Sequence, residues 1–421
     1  MNAKGQKAAV LMAKSTVKIQ NLLKNFSPKS ENPTKQVYNE KALYYHRYQN
    51  GLIKISRWKY ASERKSSLKF ENVTIAIESS SENYTYENGN FLPANENTCS
   101  FWVNFSNPKL FSDCEGDYFS QGDTMALAHP LLLSCVSYLK SLDDKCFIPA
   151  TKESEEPTPF VFLDVPFWVR VTGESLTDNF EVLIREEKSN IISMCPPLGS
   201  GRYTKEQIEY LFKTVLCAFG GGAKSAYALK KTNLILHTGN WGCGAYGNNE
   251  ELIYLVQIFG AMATGFSKII FHNPNEEALK KAKEDFETLP FFNYGGVLSY
   301  QKLVEHILDK RFAWTREDIE TELARKGLWL GMTDEDRDLW RKRQRLIAKV
   351  KNLPLEKFID DGYSVACPFG NLKTVGDLLE KELPDDKKTP ALKRILEKLD
   401  SEWLRPGMTE LDWQNWAISQ L

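Results

Sequence analysis

The feature that most constrains this chain is a strand–loop–helix–strand succession in its second half. Asn233 to His237 (NLILH) is a short apolar run, and Thr238 to Gly247 (TGNWGCGAYG) holds four glycines in ten residues. Glu250 to Ala263 is then almost wholly apolar, and Lys268 to Phe271 is apolar again. Two short apolar runs flanking an apolar stretch of helix length read as parallel strands joined by a crossover helix, buried on both faces. The sheet is therefore expected to be at least partly parallel and the fold to be α/β. A loop between such a strand and a helix start can present successive backbone N–H groups to an anion, and the helix dipole adds to the attraction. On the residues alone, a phosphate loop and an ordinary tight turn are equally compatible with this stretch.

The rest of the chain supplies further elements. Gly51 to Tyr60 and Leu68 to Glu78 have the alternation of strands, Cys99 to Phe105 (CSFWVNF) reads as a buried strand, and Thr124 to Leu139 as a helix. Strands are expected at Phe160 to Val171 and Phe180 to Ile184. Thr204 is placed to cap a helix reaching Ala218, and Gly220-Gly221-Gly222 reads as the turn that ends it. Residues 1–36, rich in Lys, Ser and Asn, read as a flexible N-terminal arm remote from the chemistry, and 316–421 as a helical C-terminal extension of charged helices punctuated by Gly and Pro. The domain between them is expected to span 37–315.

Composition excludes several function classes. With 54 basic and 55 acidic residues the net charge is −1, so no general field holds nucleic acid or anionic lipid, and no direct nucleic-acid or membrane partner is expected. The eight cysteines form no C-x-x-C pair, which argues against a zinc site and against a disulfide scaffold. No metal and no cofactor is expected. The N-terminal stretch breaks its short apolar run with lysines, so no signal peptide is expected, and the chain reads as cytoplasmic, or as acting in a host cytosol after export by a specialised route. Cys243, near a helix start, could act as a nucleophile, but a packing role fits it better.

The ten residues TGNWGCGAYG, followed by an apolar helix, resemble the signature TGNWGCGAFGG of poly(ADP-ribose) glycohydrolases, with Tyr246 in place of Phe. A run with Trp, Cys and Asn at fixed places is highly specific. The likeness covers roughly 40–315 and is strongest over 204–272. It implies a macrodomain, an α/β fold with a mixed central sheet flanked by helices. It also implies ADP-ribose as ligand, with Thr238, Gly239, Asn240, Gly242, Cys243, Gly244, Ala245 and Tyr246 around the pyrophosphate. Upstream, Trp102 to Asn107 (WVNFSN) resembles the family's V-D-F-A-N strand end, so Asn107 is implied as a ligand contact. Counting on without a gap, the family's Q-E-E catalytic triplet falls on Gln121-Gly122-Asp123, with Gln121 at the ligand and Asp123 in the place of the principal carboxylate. Glu87, beside Tyr86, is the nearest likeness to the family's adenine-binding pair. The family's adenine-stacking tyrosine has no counterpart, which leaves Phe160, Phe167 or Trp168 to replace it.

The departures from the family shape the expected function. Its Gly-Gly-Gly diphosphate loop falls on Phe111, Ser112 and Asp113, and its essential carboxylate is one methylene shorter at Asp123. Asp113, Glu115, Asp117 and Asp123 crowd one loop. Carboxylates repel phosphates but steady an oxocarbenium-like transition state, so Asp123, helped by Asp113 or Asp117, is expected to act on the glycosidic carbon. The reading is an ADP-ribosyl hydrolase that releases mono-ADP-ribose from modified protein, arginine-linked ahead of other linkages. Its rivals are a non-catalytic ADP-ribose reader and a tether whose 316–421 region binds a protein partner.

Overall fold

A computed structural model of the chain describes residues 8–30, 32–61, 67–69, 73–78, 96–112, 120–171, 180–199, 201–244, 246–287 and 297–315. The chain divides into two compact units, residues 1–317 and 318–421, and the second, with the expected helical extension, lies outside the described residues. Elements in chain order are β1 (Ala9–Lys18), α1 (Ile19–Asn25), α2 (Pro33–His46), β2 (Leu52–Tyr60), β3 (Ser67–Lys69), β4 (Thr74–Glu78) and β5 (Thr98–Phe105). They continue with α3 (Gln121–Ala128), α4 (Leu131–Ser141), β6 (Lys152–Glu153), β7 (Glu156–Pro157), β8 (Phe160–Val171), β9 (Phe180–Met194) and α5 (Lys205–Ala228). The last are β10 (Asn233–Thr238), α6 (Glu250–Thr264), β11 (Lys268–His272), α7 (Glu276–Glu287), β12 (Val297–Ser299) and α8 (Tyr300–Asp309).

Eight strands form one sheet in the order β1-β2-β8-β9-β5-β10-β11-β4. The half from β1 to β9 is antiparallel, and from β9 through β5, β10 and β11 to β4 every neighbour is parallel. The expected mixed sheet is thus present, with the βαβ unit of β10, α6 and β11 in its parallel half. Side chains alternate along β5, so Phe101 and Val103 enter a core with α5 and α6, while Trp102 enters a second core with α1, α3 and α4. Helices cover both faces, and the sheet between them is the middle layer of three.

Four expectations are corrected. The described part of the segment 1–36, from residue 8 on, is not a loose arm: β1 pairs with β2 along its length, α1 buries Ile19 and Leu22, and α2 runs through the expected boundary at 36/37. Lysines and short polar residues on an edge strand conceal its alternation in composition. Gly220-Gly221-Gly222 do not end a helix, because α5 continues to Ala228. A Cβ at Gly221 would lie 2.8 Å from the Trp58 ring, and one at Gly222 2.9 Å from Ile192 Cδ1. These glycines let the helix lie close on the sheet. The helix expected from Thr124 to Leu139 is two helices, broken at His129-Pro130, and the strand from Phe180 runs on to Met194.

Candidate functional site

β5 and β10 are parallel neighbours, with Phe101 opposite Leu236 and Trp102 opposite His237. The connections leaving their carboxyl ends, β5–α3 and β10–α6, therefore lie side by side at the edge where ligands of open α/β sheets bind.

The β10–α6 connection is held from within. Trp241 is fully buried, and its indole N–H donates to the Met194 carbonyl at 3.2 Å. Gly242 has φ +74°, and a Cβ there would lie 2.6 Å from Pro196 Cβ, so both conformation and space require glycine. Buried Asn248 donates to the carbonyls of Pro197 and Gly242, both at 3.1 Å, and accepts from the Tyr203 hydroxyl at 3.1 Å. The Tyr254 hydroxyl donates to Asn240 Oδ1 at 2.6 Å. Gln257, fully buried in α6, accepts from the Thr238 hydroxyl and donates to the Gly239 carbonyl at 3.1 Å. Asn249 caps α6 by accepting from Leu252 N–H at 3.1 Å.

The main-chain donors of Trp241, Cys243, Gly247 and Asn248 are satisfied by carbonyls of the same turn. Among the described residues, the amides of Gly242 and Gly244 donate to no protein group. Gly244 is exposed, and a Cβ there would meet nothing within 4 Å. Burial pushes the Cys243 thiol up, away from the thiolate, which fits its packing role.

The β5–α3 connection is built from side chains. Asn107 accepts from the Tyr246 hydroxyl at 2.7 Å, which ties this connection to the glycine loop, and its carbonyl accepts from Thr151 at 2.7 Å. Gln121 spends both ends of its amide on the end of β5, accepting from Phe105 N–H at 2.9 Å and donating to the Val103 carbonyl at 3.1 Å. Phe111 has φ +54° and a buried ring 5.8 Å from that of Phe162. The left-handed turn is thus made without glycine, with ring burial set against a strain of about 1–2 kcal/mol.

Asp123 lies in the first turn of α3 as the third residue of a capping box. Its Oδ2 accepts from Ser120 N–H at 3.0 Å and from the Ser120 hydroxyl at 2.7 Å. Its Oδ1 meets Lys35 Nζ at 3.3 Å, and both side chains are fully buried. Asn104, one residue before the end of β5, donates to the Gly122 carbonyl at 3.5 Å.

Beside the glycine loop, Trp102 stacks on His237 with centroids 3.8 Å apart, and His237 Nδ1 lies 3.0 Å from His272 Nε2. Burial lowers His272 to about 4, and burial with the nearby His272 and Lys268 holds His237 well below the ordinary histidine value, so both rings are neutral at pH 7. At the far end of α3, buried His129 donates from Nδ1 to the Met125 carbonyl at 2.9 Å and accepts at Nε2 from Ser189 at 2.8 Å. A carbonyl can only accept, which fixes that tautomer.

The structure therefore brings together Asn107, Gln121, Asp123, Gly239, Asn240, Gly242, Cys243, Gly244 and Tyr246 on two adjoining connections. Thr238 is buried and engaged by Gln257, so it braces the loop rather than facing a ligand. Gln121 likewise braces the end of β5. Phe160, Phe167 and Trp168 are fully buried, pack in the core and offer no face to an adenine. Asp113, Asp117, Ala245 and Glu87 lie outside the described residues. Sequence reasoning missed Lys35, placed in the supposed arm, and Gln257, whose signal was a single amide in an otherwise apolar helix.

Residues 196–281, from the end of β9 through the glycine loop and into α7, match the family described as poly(ADP-ribose) glycohydrolase (PARG), macro domain fold. No curated protein matches the sequence. Among solved structures, the poly(ADP-ribose) glycohydrolase of Thermomonospora curvata is similar at 13% identity over 58% of this chain and 82% of that one, with a TM-score of 0.35. The Deinococcus radiodurans enzyme in complex with ADP-ribose is similar at 16% identity over 51% and 85%, with a TM-score of 0.35. Over residues 196–281, the chain is thus similar to the macro domain of poly(ADP-ribose) glycohydrolases.

Proposed function

We propose that the chain binds ADP-ribose with the pyrophosphate on backbone amides of Gly242 to Tyr246, and that it is an ADP-ribosyl hydrolase. The observation that carries the binding is that the amides of Gly242 and Gly244 donate to no protein group, while those of Trp241, Cys243, Gly247 and Asn248 hold the turn itself. Unengaged N–H groups at a strand end leading into a helix suit an anion. The test is titration calorimetry with ADP-ribose. Gly244→Val puts a branched side chain into open space, so it is expected to leave the melting temperature unchanged while weakening ADP-ribose more than about tenfold. Unaltered affinity in the folded variant would remove the loop from the site.

For the hydrolysis, Asp123 is the proposed principal carboxylate, with Asp113 or Asp117 as helper. Water adds its hydroxyl to the anomeric carbon of the distal ribose, and its proton goes to the departing group through a carboxylate. A cationic arginine leaving group is attracted by the acidic connection, whereas the polymer needs a carboxylate of the family's full reach. Arginine-linked mono-ADP-ribose on protein is therefore the proposed substrate, ahead of ester or serine linkages and of poly(ADP-ribose). Equal amounts of the chain are incubated with each labelled substrate, and faster release from the polymer would overturn this order.

A second reading, a reader that binds ADP-ribose without cleaving it, is favoured by the full burial of Asp123 against Lys35 and the Ser120 cap. Binding without release from any linkage would establish it.

A further inference from the structure

The Lys35–Asp123 pair is not explained by stability. Two charges withdrawn fully from water lose several kcal/mol of hydration each, and apolar replacements of similar volume commonly serve a core as well or better. The surroundings of the pair are also polar rather than dry. Asn39, one turn along α2 from Lys35 and on the same helix face, is fully buried, and neither its Oδ1 nor its Nδ2 has a hydrogen-bond partner. Asn104 Oδ1, beside Gly122, is likewise buried and unpartnered. Native interiors satisfy such atoms with water or a ligand. The elements that carry the pair, α2 and the end of β5 against α3, thus hold unfilled hydrogen-bonding capacity one connection away from the glycine loop.

We infer that Lys35 is the counter-ion that allows this site to hold a dianionic pyrophosphate beside Asp123, an inference that rests on ADP-ribose being the ligand. Asp123 alone would oppose the ligand's two negative charges across a medium of low dielectric. Lys35 cancels that opposition from the side away from Ser120, and it does so by binding Asp123 rather than the ligand. It is a positioning and charge-compensating residue supplied by the segment that composition marks as an arm.

The experiment is a double-mutant cycle on the full chain, read by calorimetry with ADP-ribose and by thermal melting. Lys35→Met is expected to weaken ADP-ribose about tenfold or more by exposing it to an uncompensated carboxylate. Asp123→Asn is expected to bind at least as tightly as the wild type, and Lys35→Met/Asp123→Asn within about threefold of Asp123→Asn, because the effect of Lys35 on the ligand is exerted through the Asp123 charge. Lys35→Arg, which keeps the charge, is expected to stay within about threefold of the wild type. A folded Lys35→Met with wild-type affinity overturns the inference, as does a double variant as weak as Lys35→Met. If Lys35→Met does not fold, the comparison of Asp123→Asn with the double variant decides alone, and a double variant more than about tenfold weaker overturns it. Absence of ADP-ribose binding by the wild type refutes the parent reading and this one together, and is seen before any variant is compared.

Discussion

The two connections at the carboxyl edge of the sheet start from adjacent parallel strands and each ends in a capped helix, yet they are built by opposite means. The β10–α6 loop fixes its main chain with glycines, a buried indole and an asparagine, and leaves two amides unengaged. The β5–α3 connection fixes its main chain with the side chains of Phe111 and Gln121, and brings a carboxylate under a cap and a lysine. A site that recognises a ligand through backbone groups tolerates few substitutions in its own loop and many around it. A site that works through side chains can be rebuilt by exchange of single residues.

The largest expected effect falls on the side-chain-built connection. Asp123→Ala removes the carboxylate that pairs with buried Lys35 and accepts from Ser120, at a cost of about 3–5 kcal/mol, and is expected to abolish most turnover while folded protein still binds product. Chemical denaturation and an assay of ADP-ribose release measure the two losses, and full activity would remove Asp123 from the chemistry.

Gly242→Ala comes next. A left-handed φ and a Cβ 2.6 Å from Pro196 are together expected to cost about 2–4 kcal/mol, with loss of ADP-ribose affinity. If stability fell and affinity did not, loop rigidity and ligand recognition would be separable, against the comparison.

Acid is expected to weaken both regions. His129 in the α3 region and His272 beside the glycine loop are each held down to about 4 by burial, so the unfolded chain binds more protons than the folded one below its ordinary histidine range. The stability these neutral rings confer is complete above about pH 6.5 and is lost as pH falls toward about 4. Melting temperatures across that window, with His129→Asn flattening the slope, test it.

The smallest effect separates the caps. Ser120→Ala and Asn249→Ala are each expected to cost about 1 kcal/mol, but only the first should alter turnover, because Ser120 also holds Asp123 Oδ2. Equal turnover in the two variants would make Ser120 a plain cap.

The βαβ unit with its glycine loop was legible in the sequence because its determinants are local: apolar runs of the right length and a specific ten-residue string. The Thr204 cap was legible for the same reason. The glycines of α5 were misread because the local signal for a helix end is the same as the tertiary signal for close packing, and only Trp58 and Ile192, far away in sequence, distinguish them. Lys35 was illegible because its partner lies 88 residues on, and a lysine in a polar segment reads as solvated until that partner is known. Sequence distance, rather than chemical subtlety, divides what was readable from what was not.

Phe111 ties the timing of events at this edge to the core. A glycine turn re-forms by rotation of its own dihedrals, but this turn cannot leave its left-handed state without drawing an aromatic ring away from Phe162 and out of the layer beneath. Exposing such a ring costs about 1.5–3 kcal/mol, so excursions of the turn are about ten- to a hundredfold rarer than those of an unburdened one. Movement of this turn is thereby set by the breathing of the core, and amide hydrogen exchange at Ser112 should follow the same slow rhythm as its buried neighbours.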